Sequence, residues 1–348
     1  MAKTSAWSYL LKYGIPLIIS IGLCYLLFST MNFSEMIEII RRDCNYWWIV
    51  LAMAISIFSH IFRAMRWRIQ LQALDINTPL FPLVLSIFGT YAVNLVLPRL
   101  GEIWRTGYIA QRQKAPFTTV FGSMVADRLA DTVTVLLLTV FTFLLASKQL
   151  LAYLSQNQET YDRVIGLATS VWLWIGILAF MGAIAFVFIK YPDNKLVAKC
   201  RDIWKGLWEG FAVIATMKGK GRWLLLTVCV WGCYFLQLYV AFYSFPATTE
   251  VLARYGAIAA LVCFVFSSIS MGVPSNGGIG PWQWAIIFGL SMFSEGIPEL
   301  TTAYATSFAN LVMGSQTLLL IILGLFTFTC IALDKKRSRN NSVRRVVK

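Results

Sequence analysis

The sequence has 348 residues, of which 58% are hydrophobic and 13% are charged, and its mean hydropathy is +0.68. A water-soluble globular domain has roughly twice that share of charged residues, so the composition excludes one and indicates a helical membrane protein. The net charge of +14 does not indicate a nucleic-acid partner, because the chain has no module that combines basic and aromatic residues for binding RNA or DNA.

Six apolar stretches are each long enough to cross about 30 Å of hydrocarbon. They occupy residues 15–31, 46–62, 117–146, 171–189, 223–245 and 301–333. The segments between them carry most of the Lys and Arg residues. We therefore predict an all-α polytopic membrane protein with about six full crossings.

Two further apolar segments, at residues 80–110 and 251–293, are interrupted by helix-breaking residues. Pro98 is followed three residues later by Gly101, and Pro274 is followed in the same way by Gly277. Broken backbone at membrane depth survives only where protein buries it or where it lines a wet cavity. Two such breaks at corresponding places in two halves of a chain point to the binding site of a transporter.

The distribution of basic residues favours re-entrant hairpins at both breaks. If the first break were a full crossing, the basic residues of 190–222 would lie outside, against the positive-inside rule. With hairpins, each half has an odd number of crossings, which predicts two inverted repeats. These are residues 1–160, with a hairpin at 80–110, and residues 161–333, with a hairpin at 251–293. A basic cytoplasmic tail follows at 334–348, and we expect a bacterial inner membrane with both termini cytoplasmic.

The ionisable residues at membrane depth are few, and each is a functional hypothesis by default. They are Asp127, Arg128 and Asp131 within one crossing, and Arg99, Glu102 and Arg105 at the first break. In one interpretation Arg128 pairs with its neighbours or with Glu102 and locks the hairpin in place. In the other, Arg99 or Arg105 holds an anionic headgroup, because a guanidinium donates two parallel hydrogen bonds to phosphate. Glu102 then orients these arginines or binds a headgroup amine. The sequence leaves both open, so the group on the crossing is predicted to be a gate or a structural lock.

The second break has glycines and an amide in place of charges. Gly277, Gly278 and Gly280 allow backbone N–H groups to approach a ligand, and Gln283 opens a helix whose N-terminus favours anions. A plain tight turn is the commoner reason for such glycines. Their pairing with the first break favours a substrate-binding role.

These motifs resemble the membrane domain of lysylphosphatidylglycerol synthase/flippase proteins over nearly the whole chain. The resemblance rests on Gly89, Asn94, Pro98, Arg99, Gly101, Glu102 and Arg105, on Asp127-Arg128-Leu-Ala-Asp131, and on Gly277-Gly278-Ile279-Gly280. It implies a flippase-like fold of two inverted repeats and adds Asn94 to the substrate-binding residues. The soluble aminoacyl-transfer domain is missing, so synthase activity is not implied. The family tends to have an acid near Gln283, which leaves a cation-binding role there without support.

We predict transbilayer movement of a phospholipid or a lipid-linked anion, without a catalytic residue. An intramembrane lipid-modifying transferase is one alternative, for which Glu102 and Asp127 are the candidate acids, and a non-catalytic scaffold is another. No cofactor is predicted. No metal site is predicted either, because the single histidine, His60, has no partner ligands in the sequence. The expected partner is the membrane lipid itself, and homo-oligomerisation stays open.

Overall fold

The computed structural model describes residues 33–156, 161–162, 165–166, 169–191, 194, 197, 217–273 and 275–346. The regular elements within these ranges are helices, which confirms the predicted all-α class. They are α1 (Phe33–Asp43), α2 (Tyr46–Gln72), α3 (Leu80–Val96), α4 (Leu100–Gln113), α5 (Phe117–Leu145), α6 (Ser147–Gln156), α7 (Val171–Lys190), α8 (Lys220–Phe242), α9 (Pro246–Tyr255), α10 (Ala257–Ser270), α11 (Pro281–Ser291) and α12 (Thr302–Val346).

Within the described ranges, five helices are long and apolar enough to cross a membrane. They are α2, α5, α7, α8 and the Thr302–Asp334 part of α12, which coincide with five of the six predicted crossings. The other predicted crossing, residues 15–31, lies outside the described residues. Helices α9 and α10 form a pair bent by 111°, and α3 is apolar but shorter. The chain is thus a polytopic helical membrane protein.

Helix α2 continues to Gln72, ten residues beyond the apolar stretch predicted at 46–62. Its last part contains Arg63, Arg66 and Trp67, and all three side chains are buried. No Gly or Pro interrupts residues 46–72. The helix can continue through the protein interior because buried cations are tolerated when carboxylates pair with them.

The contacts among the helices of the first half match those among the helices of the second half. In the first half, α3 packs against α4, and α4 against α5; in the second, α10 packs against α11, and α11 against α12. Between the halves, α2 packs along α8, α3 packs on α12, and α10 packs on α5. Each broken helix pair therefore includes a helix that lies beside a long helix of the other half.

The bundle has a basic end. An apolar cluster that includes Leu71, Ile109 and Val120 joins the end of α2, the end of α4 and the start of α5. At the same end, Arg112 Nη1 on α4 lies 2.6 Å from Asp334 Oδ2 on α12. Gly219, just before α8, lies beside Ile69 of α2, so the basic residues around the start of α8 also belong to this end.

The opposite end of the bundle is acidic. There the Asn45 N–H donates to the Ser244 carbonyl at 2.8 Å and joins the start of α2 to the end of α8. A cleft of about 850 Å³ opens beside this contact. Its charged lining residues are Glu35, Glu38, Asp43, Glu250, Glu299, Arg42 and Arg254. The hydrogen bond from Arg42 keeps the pKa of Asp43 below its ordinary value.

The difference between the two ends predicts the orientation of the chain in the membrane. By the positive-inside rule we expect the basic end to face the cytoplasm. In Arg112→Cys and Lys218→Cys, a membrane-impermeant thiol reagent added outside intact cells should leave the new cysteine unlabelled, whereas Glu250→Cys should be labelled. External labelling of Arg112→Cys at the level of Glu250→Cys would contradict a hairpin that returns to the cytoplasmic side.

Candidate functional site

The first break, residues 97–99, is a sharp turn closed by an asparagine. Leu97 is extended, and Arg99 adopts the left-handed conformation with φ 62° and ψ 2°. Asn94 Oδ1 accepts a hydrogen bond of 2.8 Å from the Gly101 N–H. This N–H belongs to the first turn of α4 and has no partner within its own helix. Asn94, a predicted substrate-binding residue, therefore has a structural role as the cap of α4.

The two helices at the first break approach each other at two glycines. A Cβ added at Gly101 would overlap the Thr90 carbonyl oxygen, and one added at Gly89 would overlap the ring of Trp104. Glycine at both positions lets the backbones of α3 and α4 come close. This contact fixes the direction in which the side chains of α4 point.

Glu102, the next residue of α4, bridges the broken pair to α5. Its carboxylate accepts from Asn94 Nδ2 at 3.2 Å and lies 3.0 Å from Arg128 Nη2. Arg128 also lies 3.8 Å from Asp131 Oδ2. The contact between Arg128 and Glu102 is one of the two pairings that the lock interpretation offers for Arg128. About a third of the Arg128 side chain is exposed, so this edge of the site is open to its surroundings.

Two arginines of α2 pair with the two aspartates of α5 in the interior. Arg66 Nε donates to Asp127 Oδ1 at 2.9 Å, and Arg66 Nη2 donates to Asp131 Oδ1 at 2.8 Å. Arg63 Nη1 lies 2.8 Å from Asp131 Oδ2. All four side chains are at most about a tenth exposed. These pairs join α5 to α2, and the cations closest to the two aspartates come from α2 and not from Arg128.

Sequence reasoning missed both of these arginines. A sliding-window hydropathy profile assigns Lys and Arg residues at the end of an apolar run to a loop. The signal that was present is the helical spacing of His60, Arg63, Trp67 and Gln70, with no helix breaker among them. All four are buried, which is what one face of a continuing helix would give.

Arg105 has no hydrogen-bonding partner among the described residues. Its side chain is fully buried, and none of its three guanidinium nitrogens makes a hydrogen bond within this part of the chain. The guanidinium carbon lies 4.4 Å from the centroid of the Trp67 ring, and Nη2 lies 3.9 Å from Asp127 Oδ2. Arg105 thus faces the protein interior, whereas Arg99, the other predicted phosphate ligand, is exposed.

We refer to Arg63, Arg66, Arg105, Arg128, Glu102, Asp127 and Asp131 as the ionic cluster. An aromatic contact borders it where the halves meet: the hydroxyls of Tyr91 and Tyr234 are 3.1 Å apart. His60 packs on Tyr91 with ring centroids 4.6 Å apart, and Arg63 lies 5.8 Å from the Tyr234 ring. Polar groups therefore continue from α2 through α3 to α8.

The second break covers residues 271–280, of which Pro274 lies outside the described residues. Gly277, Gly278 and Gly280 have φ of 63°, 88° and 95°, where side chains other than glycine are strained. Gln283 Oε1 accepts from the Gly280 N–H at 2.7 Å, and its Nε2 is 3.4 Å from Asn310 Oδ1. Gln283 therefore caps α11 from within, a role that needs no negative charge.

The two breaks contact each other directly. Arg99 Nη2 donates to the Gly272 carbonyl at 3.1 Å. A Cβ added at Gly277 would lie 2.7 Å from Leu95 Cδ2. The residues predicted for substrate binding thus form two neighbouring groups: Asn94, Arg99 and Glu102 at the first break, and Gly277, Gly278, Gly280 and Gln283 at the second. Arg105 lies deeper, in the ionic cluster.

A crosslink tests this contact in the membrane. Leu100→Cys and Ile279→Cys place one thiol on each break, and we expect a short bifunctional thiol reagent to join them within one chain. A matched pair of Leu100→Cys with Glu250→Cys, which lies at the acidic end, should remain unlinked. If the first pair stays unlinked in bilayers while both single-cysteine proteins react, the breaks are apart in the membrane.

Comparison with known proteins gives relatives in sequence and none of known structure. No solved structure matches the chain significantly. The UPF0104 membrane protein MJ1595 of Methanocaldococcus jannaschii is 22% identical, over 94% of this chain and 98% of its own length. The family model described as the lysylphosphatidylglycerol synthase TM region matches residues 14–324, which include both breaks and the whole ionic cluster. The chain therefore belongs to the family of the lysylphosphatidylglycerol synthase transmembrane region.

Proposed function

We propose that this protein moves an anionic lipid between the two leaflets of the membrane. The observation that carries the proposal is the contact of the two helix breaks at Arg99 and Gly272, beside an ionic cluster with more arginines than carboxylates. Irregular backbone at membrane depth is tolerated only in protein or beside a polar cavity. A passage for a headgroup supplies a reason for placing two such breaks together.

The membrane arrangement that we propose has two re-entrant hairpins in two inverted repeats. Helices α3 and α4 form one hairpin, which starts and finishes at the basic end, and α10 and α11 form the other at the acidic end. The matching contacts of the two halves support this arrangement. The basic end then faces the cytoplasm of a bacterial inner membrane, which places the C-terminal tail there too.

The physical task of the site is to lower the cost of taking a charged headgroup out of water. A charge in hydrocarbon costs several kcal/mol or more, whereas acyl chains can stay in the bilayer. Arg99 and Arg128 are the arginines of the site that are exposed at least in part. We assign them to the first contact with the phosphate, with Glu102 orienting Arg128 or binding a headgroup amine.

The pairing of Asp127 and Asp131 with Arg63 and Arg66 supports the lock interpretation for this pair. Such a lock would hold α5 against α2 while the headgroup passes along α4. Arg128 and Glu102 lie at its partly open edge and would act as the gate. This division gives the acids on α5 a structural role and leaves α4 as the substrate-facing element.

The transferase alternative finds less support from the geometry. It needs an acid that is free to act as a base or to bind a metal. Of its two candidates, Asp127 accepts a hydrogen bond from Arg66 and Glu102 pairs with Arg128. Each candidate acid is therefore already paired with an arginine, which leaves neither of them free for that role.

Removing the charge of Arg99 tests the proposed function. Arg99→Ala should fold, because the side chain is exposed and makes one hydrogen bond, and it should lose most lipid movement. Arg99→Lys keeps the charge and loses the planar fork, so its rate of lipid movement should lie between those of Arg99→Ala and the unmodified protein. The measurement is leaflet-specific quenching of fluorescent lipids in proteoliposomes of purified protein.

Arg112→Ala provides the control for Arg99→Ala. It also removes a partly exposed arginine, but one that lies at the basic end and away from both breaks. Its transport rate should equal that of the unmodified protein. Equal rates for Arg99→Ala and Arg112→Ala would argue against a headgroup contact at the first break, and the absence of movement by the unmodified protein would favour the scaffold.

A further inference from the structure

The ionic cluster has one positive charge that no carboxylate within it neutralises. It contains four arginines and three acids. Asp127 and Asp131 are taken by Arg63 and Arg66, and Glu102 is taken by Arg128. Arg105 is the cation that remains, and its surroundings also show that it lacks a close carboxylate partner.

All guanidinium nitrogens of Arg105 are buried and make no hydrogen bond to the residues that the structure describes. Its nearest acid oxygen, Asp127 Oδ2, is 3.9 Å away, and the Trp67 ring covers one face of the guanidinium. A cation–π contact satisfies the charge in part but none of the N–H donors. Unmet donors of a buried charged group are costly, so a ligand with one negative charge and several acceptor oxygens would stabilise this arginine.

We infer that Arg105 binds the phosphate of a lipid phosphodiester, an inference that rests on the proposed function and specifies its substrate. A phosphodiester has one negative charge and makes the cluster neutral. A phosphomonoester has a charge of about −1.5 to −2 near neutral pH, which would leave an excess negative charge in surroundings of low dielectric constant. The planar fork of arginine also matches two phosphate oxygens at once.

The path to Arg105 runs along α4. Arg105 follows Glu102 by three residues, so the two side chains lie on one face about one helical turn, or roughly 5 Å, apart. Glu102 and Arg128 are partly exposed, at 18% and 34% of their side chains. A phosphate at this edge is within reach of the long Arg105 side chain once the guanidinium leaves the Trp67 ring.

The test measures lipid binding at equilibrium, without transport. Purified protein is presented with dioleoylphosphatidylglycerol, a phosphodiester, and dioleoylphosphatidic acid, a phosphomonoester, in competition, and bound lipid is counted by native mass spectrometry. The unmodified protein should prefer the diester. Arg105→Gln should bind it about 10- to 100-fold more weakly, the factor expected for lost hydrogen bonds to a charged group. Arg112→Gln should bind it normally.

A second variant tests the charge balance itself. Glu102→Gln raises the net charge of the cluster from one to two, so the preference should shift towards phosphatidic acid. An unchanged preference in Glu102→Gln, or normal diester binding by Arg105→Gln, would overturn the inference. Thermal melting of each variant, compared with the unmodified protein, shows that its fold is intact. If Arg105→Gln does not fold, Arg105→Lys replaces it and should lose part of the preference.

Two further outcomes separate this inference from the proposed function. If soluble glycerophosphoglycerol displaces the lipid at equal concentration, the ligand is a free phosphodiester and the lipid assignment is wrong. If the protein moves lipids but does not distinguish diester from monoester, the role of Arg105 is wrong and the proposed function stands. If it selects the diester but moves no lipid, the proposed function fails and the binding site stands.

Discussion

Gly101→Ala is expected to prevent α3 and α4 from closing. The new methyl group would overlap the Thr90 carbonyl oxygen and would lie 2.8 Å from Asn94 Oδ1. A backbone atom cannot move aside as a side chain can, so the loss should reach or exceed the roughly 1–3 kcal/mol typical of overpacking. We expect a large fall in the melting temperature and in the yield of monodisperse protein after size-exclusion chromatography.

Gly107→Ala is the matched control, because it lies on the same helix. A Cβ at Gly107 meets no atom within 4 Å, and alanine favours a helix over glycine by about 1 kcal/mol. This variant should melt at the same temperature as the unmodified protein or slightly above it. If the two variants behave alike, the close approach of α3 and α4 is not a determinant of the fold.

Arg66→Met is expected to be the most damaging change within the ionic cluster. It removes the nearest partner of Asp127 and one partner of Asp131, at a position with no exposure. Breaking a buried ion pair on one side costs about 3–5 kcal/mol. Here Asp127 would lose its hydrogen bond and keep, among the described residues, only the longer contacts with Arg63 at 3.7 Å and Arg105 at 3.9 Å. The free energy of unfolding, measured in a denaturant titration in detergent, should fall by that order.

A double variant separates the loss of pairing from the loss of packing. Arg66→Met with Asp127→Leu removes one charge of each sign, and apolar replacement of a buried pair is often neutral, so it should recover most of the lost stability. Arg42→Met, at an exposed pair with Asp43, should change stability by less than about 1 kcal/mol. A double variant no more stable than Arg66→Met would show that the guanidinium acts through packing alone.

The elements of this fold that follow from local sequence were predictable. Long apolar runs predicted five of the described crossing helices, and helix breakers predicted the interruption after Val96 and after Ser270. The glycines of both breaks were also predictable from local sequence, because a left-handed turn or a close backbone approach favours glycine. Pro274 and residues 15–31 lie outside the described ranges, so those two predictions stand as made.

The partners of the buried charges were not predictable, because they are distant in sequence. Arg66 bonds to an aspartate 61 residues away, and no local spacing shows such a pair. A rule that assigns basic residues to loops then removes Arg63 and Arg66 from consideration. The direction of a side chain is equally invisible, so Arg105 and Arg99 looked equivalent although one faces the core and the other is exposed.

The placement of the ionic cluster affects how the two halves can move against each other. All seven of its residues lie on α2, α4 and α5, so no ion pair within it crosses between the halves. The cluster reaches the second half through the hydroxyls of Tyr91 and Tyr234 and through ring contacts, such as that of Arg66 with Trp223 at 5.7 Å. Each such contact contributes only about 1 kcal/mol. A displacement of one half could therefore carry all the buried charges as a single body, without separating opposite charges inside the membrane.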